Sequence, residues 1–141
     1  MVKHVGIHQK GGLSLSDMVK SIRNHPDFPD AGAIGVFVGV VRGQSSGAAV
    51  QKLHLEAYEE RADEVLNQIC NELRTKKGIV DVKISHFVGE FDVSDDLVYV
   101  VVAGAHRDDV FPVLKVAVDR YKKEAPIWKK EHLTDGESRW V

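Results

Sequence analysis

Cysteine is almost missing from this chain: Cys70 stands alone among 141 residues. That excludes an intramolecular disulfide framework and a multi-cysteine zinc site. Long apolar runs are missing too. The longest, around Ile34–Val41 and Leu97–Ala105, are far too short to cross a bilayer as helices. The opening Met1-Val-Lys-His-Val-Gly-Ile-His8 has neither the apolar centre of a signal peptide nor a small-residue cleavage site. Neither charge is in marked excess: 19 Lys and Arg against 21 Asp and Glu give a net −2, with no general pull toward nucleic acid or anionic membrane. No Walker loop, dinucleotide fingerprint or GxSxG elbow occurs. What remains is 43% hydrophobic and 28% charged, proportions that exclude a disordered chain. The expectation is a cytoplasmic protein of one domain over residues 1–141.

Periodicity divides the chain into alternating elements. Val2–His8 reads as a strand, and Ser14 with Asp17 reads as a capping box opening a helix over Ser14–Asn24. Gly32–Arg42 reads as a buried strand whose Gly35 and Gly39 mark bends or close backbone approaches. Val50–Tyr58 alternates again, and the glycine-containing loop between the two predicts a hairpin. Glu59–Lys77 carries a helical stripe of Ala62, Val65, Leu66, Ile69 and Leu73, with Gly78 as its cap. Ile79–Val88 and Leu97–Ala105 form a second strand pair. A third helix from about Asp108 should face Phe111, Leu114, Val118 and Tyr121 inward, and Ile127–Leu133 is extended. Hairpins separated by three helices indicate an α+β fold with a mainly antiparallel sheet.

The cations are unevenly placed. Arg42 closes the most apolar strand, His106-Arg107 sits at a strand-to-helix junction, and Tyr121–Lys130 holds four lysines in ten residues. Groups at the ends of buried strands often carry function, whereas lysines on a helix end are ordinarily just solvated. The helix N-terminus beside His106 and Arg107 suits an anion such as phosphate. Clustered cations lower one another's pKa, while a helix C-terminus near Lys122 favours its charged form; either influence can dominate. Arg107 and Lys122 bracket one helix and lie roughly 22 Å apart at 1.5 Å per residue. One site using both needs a shorter or bent helix, or a homodimer that shares its sites. Cys70 falls near the buried stripe and reads as an inert thiol. His4, His8, His54, His86 and His132 show no ligand spacing, so neither a metal nor a cofactor is expected.

Together Phe37-Val-Gly-Val-Val-Arg42-Gly, Leu55-Glu-Ala-Tyr58, Gly104-Ala-His-Arg107, Tyr121-Lys-Lys-Glu-Ala-Pro-Ile-Trp-Lys-Lys-Glu131 and Asp135-Gly-Glu-Ser-Arg-Trp140 occur in an order that resembles the large, catalytic subunits of molybdopterin synthases. The resemblance runs from Gly32 onward and implies an α/β-hammerhead fold. It implies a sulfurtransferase that converts cyclic pyranopterin monophosphate into molybdopterin. The sulfur donor would be a thiocarboxylate on the C-terminal Gly-Gly of a small ubiquitin-like carrier subunit. It also implies a central homodimer within a heterotetramer, with no nucleic-acid or membrane partner. By motif, Lys122 and Lys129 take the catalytic positions. Arg42, His106, Arg107, Lys122, Lys129, Lys130 and Glu131 take the substrate-binding ones. Two departures stand out: Val40 where some relatives carry lysine, and a chain ending at Val141 where many run on.

Two other readings of the cations remain. One is an RNA- or nucleotide-binding module, which the acidic total and the lack of interleaved aromatics disfavour. The other is an acylphosphatase-like enzyme with Gly39-Val-Val-Arg42-Gly as its phosphate loop. Only the synthase resemblance accounts for all the motifs together.

Overall fold

Residues 3–141 are described in a computed structural model, so Val2 of the expected first strand lies outside the described residues. The chain runs β1 (Gly6–Gln9), α1 (Leu15–Arg23), β2 (Ala33–Val40), β3 (Gln44–Ser45), β4 (Ala48–Ala57), α2 (Glu59–Arg74), β5 (Ile79–Asp92), β6 (Asp96–Gly104), α3 (Arg107–Glu124), β7 (Ile127–Leu133) and β8 (Ser138–Trp140). The expected α+β class with three helices is what forms. Every strand pairing is antiparallel except that of β1 with β5.

Local chemistry sets the helix starts. The Ser14 hydroxyl accepts from the Asp17 N–H and the Asp17 carboxylate accepts from the Ser14 N–H, both at 3.0 Å. α2 buries the predicted stripe together with Cys70. It ends three residues before Lys77, where the Thr75 hydroxyl donates to the Glu72 carbonyl (2.6 Å) and the chain turns. Gly78 (φ +77°) then completes that turn into β5 rather than capping the helix directly. In α3, Val110, Ala117 and Tyr121 are buried, but Phe111, expected inside, is 61% exposed. One residue past Val110 is 100° further round the helix, which turns Phe111 off the core face.

The strand order is β2-β6-β5-β4-β7-β8. β6 explains its uninterrupted apolar run, because it is buried on both faces. Val98, Val100 and Val102 pack with α2 and α3; Tyr99, Val101 and Ala103 pack with Leu53, Leu55, Phe91 and the α1 residues Met18 and Ile22. A strand covered on both sides lies inside the sheet and needs two neighbours. That overturns the expected hairpin of β2 with β4: β2 pairs with β6, while β4 pairs with β5 and β7. The chain leaving β2 instead enters the small β3–β4 hairpin, turning at Ser46 (φ +48°) and Gly47 (φ +79°), the paired positive angles of a type I′ turn. β2 is left at the end of the sheet. Gly35 there lets α3 approach closely, since a Cβ would stand 2.7 Å from Val110 Cγ1.

Candidate active site

A cleft of about 490 Å³ opens where the end of β2, the β3–β4 hairpin, the C-terminal turn of α3 and strand β7 converge. Phe37, Leu53, Leu55, Val98 and Ile127 form the apolar part of its wall, and Arg42, His86, Lys122, Lys129 and Glu131 line it beside them. Arg42 arrives because β2 bulges at Gly39/Val40 and the chain then leaves the sheet. Lys122 comes from the last turn of α3, and Lys129 and Glu131 from alternate positions of β7.

The period of two in β7 sorts its residues. Ile127, Lys129 and Glu131 line the cleft, whereas Lys130 is not among its lining residues and its ammonium lies over the Trp140 ring at 5.5 Å from the centroid. Tertiary pairing of β7 with β8 thus sets Lys130 against Trp140, ten positions further along the chain. His106 and Arg107 are also outside the cleft: exposed, at the opposite end of an unbroken α3 from Lys122. Asp108 and Asp109 occupy the first turn beside them. A single chain therefore assembles Arg42, Lys122, Lys129 and Glu131 but leaves His106, Arg107 and Lys130 elsewhere.

The electrostatics favour an anion. Partial desolvation against the cleft wall pulls Lys129 below the ordinary lysine range, and the charges of Lys122 and Arg42 pull it further, with Glu131 opposing. Glu131 is almost fully buried and accepts from Arg139 Nε (3.0 Å); the same guanidinium donates to the Ser45 carbonyl (2.7 Å). Arg139 thereby ties β8 to β7 and to the hairpin at the rim. Ser46, strained at positive φ without being glycine, lines that rim.

The family motifs do not include His86, yet it lines the cleft although buried, its ring edge-on to Tyr121 with centroids 5.5 Å apart. Its Nδ1–H donates to the Phe87 carbonyl (2.9 Å), which fixes the tautomer and leaves Nε2 as an acceptor. Burial pushes its pKa down to about 4, so the ring is neutral at working pH. The signal was present: His86 shares the apolar face of β5 with Val82, Ile84 and Val88, where a polar side chain is out of pattern.

Cys70 takes no part. It is wholly buried under α2 and burial pushes its thiol up to about 12. Native protein is expected to resist a thiol reagent such as DTNB at pH 8 and to release one equivalent only on unfolding. Rapid native labelling would contradict this.

The site's pH response has a defined sign. If Lys129 must be charged to hold an anion, kcat/KM falls as pH rises through its pKa, beginning below the ordinary lysine range. Arg42→Ala removes one repelling charge and is expected to move that alkaline limb to higher pH, alongside any loss of affinity. Because the folded state holds this proton less tightly than the unfolded chain, Lys129 also makes folding slightly more favourable as pH rises through the same window. A pH–rate profile of both proteins checks the direction.

Comparison with known proteins identifies the site's setting. The profile of the MoaE protein family matches residues 8–124. The molybdopterin synthase catalytic subunit of Thermoplasma volcanium is 35% identical over 124 residues, covering 88% of each chain. That of Halalkalibacterium halodurans is 39% identical over 124 residues, covering 88% of this chain and 79% of the other. The crystal structure of molybdopterin synthase from Staphylococcus aureus superposes with a TM-score of 0.87 at 30% identity, covering 100% of this chain and 98% of that one.

Proposed function

The chain belongs to the MoaE protein family, and from that premise we propose how its cleft performs the family's reaction. The protein is a sulfur-transferring enzyme of molybdenum-cofactor biosynthesis: it converts cyclic pyranopterin monophosphate to molybdopterin with sulfur from the C-terminal thiocarboxylate of a small carrier subunit. Residues 1–141 act as one catalytic-subunit domain, and the reaction takes place in the cytoplasm.

The observation that carries the reading is the cleft itself, in which Arg42, Lys122 and Lys129 converge beside a partly apolar wall. Both reactants are anions, a phosphate ester and a thiocarboxylate, and three cations gathered on one cleft attract and orient each of them. Arg42 supplies bidentate donors to the substrate phosphate. Lys129, on the cleft wall, binds substrate and offsets negative charge as sulfur adds. Lys122, at the open end of α3, handles proton transfer beside the incoming thiocarboxylate. Glu131, clamped by Arg139, orients the wall from which Lys129 projects. With Cys70 buried and inert, the sulfur has to come from the carrier.

His106 and Arg107 join this site from a second protomer. α3 runs its full eighteen residues without interruption, so they cannot reach Lys122 of their own chain. The working unit is then a homodimer flanked by two carriers. Lys130, on the outer face of β7, contacts substrate only if that composite arrangement reaches round the strand.

The decisive assay mixes purified protein, cyclic pyranopterin monophosphate and thiocarboxylated carrier, and measures the oxidised dithiolene pterin. Product from wild type and from Cys70→Ala is expected. Folded protein that makes no product beside an active control synthase would sink the reading.

A further inference from the structure

The buried wall of the cleft carries an acceptor with no part in the steps derived for Arg42, Lys122 and Lys129. His86 lies on β5 between two paired strands, opposite Ile7 of β1 and Val98 of β6. A residue flanked on both sides has little freedom to move. Its Nδ1–H is taken up by the Phe87 carbonyl (2.9 Å), and the Tyr121 ring meets it edge-on. Nε2 is therefore held in one place with its lone pair free.

That nitrogen belongs to a side chain only 6% exposed, and it has no hydrogen-bond partner among the described residues. Buried polar atoms are ordinarily paired. Yet Nε2 is not sealed in: among the described residues, the atoms wholly enclosed without a partner are on His8 and His54. His86 lines the cleft, so its free nitrogen faces that space.

The other polar groups leave a chemical gap there. Arg42, Lys122 and Lys129 can only donate, which suits a phosphate and a thiocarboxylate. Glu131 accepts, but from Arg139. Neither reactant is purely an acceptor, however. A pterin ring carries N–H groups, and the terminal glycine amide of the carrier tail is two bonds from the thiocarboxylate carbon. Each N–H gives up water on entering the cleft, at a cost unless an acceptor meets it. Burial keeps the His86 ring neutral against the opposing Phe87 bond, and the Lys129 charge helps, so no proton blocks Nε2.

We propose that His86 Nε2 accepts a hydrogen bond from an N–H group of a bound reactant, fixing the depth and orientation at which that reactant sits. The inference rests on the sulfur-transfer reading of this cleft and adds a binding residue to it. The donor has two sources, the pterin ring or the terminal amide of the carrier. The chemistry is the same for both, and each reactant titrated alone tells them apart.

Two variants and one spectrum test it. His86→Phe keeps a ring against Tyr121 but removes the acceptor. His86→Gln places an amide oxygen near the position of Nε2. His86→Phe is expected to raise KM for one reactant about 10-fold with kcat within about threefold, and His86→Gln to recover most of that loss. Affinities are measured separately for cyclic pyranopterin monophosphate and for a carrier ending in an ordinary carboxylate, which cannot deliver sulfur. Weaker pterin binding alone assigns the donor to the ring; weaker carrier binding alone assigns it to the tail amide. In wild type with isotope-labelled histidine, the Nε2 resonance, assigned through its own backbone, should start at an unprotonated position. It should then shift when the same reactant binds, which decides the matter even where both variants lose stability. Wild type that turns over normally while His86→Phe keeps both affinities and both KM values within about twofold overturns the proposal and leaves the sulfur-transfer reading standing. An Nε2 resonance that neither reactant moves, with His86→Gln as impaired as His86→Phe at native circular dichroism, also overturns it.

Discussion

Lys122→Ala is expected to slow dithiolene formation by about 10²–10³-fold while leaving the fold intact. Lys122 is exposed, lies in the last turn of α3, lines the cleft and makes no ion pair among the described residues. Nothing in the packing depends on it, so its loss should cost at most about 0.5 kcal/mol of stability. Its effect belongs to the reaction. Lys122→Arg separates two roles. Arginine keeps the charge but cannot release a proton at working pH, so it restores binding without restoring rate if Lys122 moves a proton. Lys123→Ala is the control, since Lys123 is exposed and outside the cleft. Single-turnover product formation with melting temperatures measures both quantities. Wild-type rates in Lys122→Ala, or an equal loss in Lys123→Ala, would remove Lys122 from the chemistry.

The largest stability effect is expected at Arg74, far from the cleft. Asp81 is 3% exposed at the start of β5, and its Oδ1 accepts from Arg74 Nε (2.6 Å) and from the Val82 N–H (2.8 Å). The same guanidinium donates to the Val82 carbonyl (2.9 Å), so one side chain pins α2 to β5 twice. Lys83 is 3.9 Å from the other carboxylate oxygen, too far to replace it. Arg74→Ala leaves a buried carboxylate short of its main partner, and should destabilise by roughly 2 kcal/mol, a fall of about 5 °C in Tm. Arg74→Leu combined with Asp81→Val should recover much of that loss, because neither charge is then stranded. If the double variant is no more stable than Arg74→Ala, the pair's hydrogen bonds, rather than desolvation of Asp81, dominate.

Much of this was legible in the residues. The Ser14–Asp17 capping box and the α2 stripe are local, set by bonds and spacings within a few residues, and they appear where the spacing places them. Arg42 stood out because it closes an apolar strand, Lys122 and Lys129 only through the motif resemblance, and the cleft collects all three. Other features could not be read along the chain. The partner of β2 depended on which strand was buried on both faces, a competition among all the strands. The exposure of Phe111 turned on one residue of helical phase. His86 became a site residue only when β5 and α3 closed over it.

By itself the sequence determined the α+β class, the helix starts, the inertness of a lone cysteine and the identities of the cations, because these depend on residue type and short-range periodicity. Tertiary structure alone decided which cations share a cleft. It set Lys129 and Glu131 on one face of β7 and Lys130 over Trp140, and ran α3 unbroken so that His106 and Arg107 lie at the end away from Lys122. The reason is geometric. Spacing along a strand or helix fixes direction within an element, while proximity between elements depends on how their buried faces compete for one core.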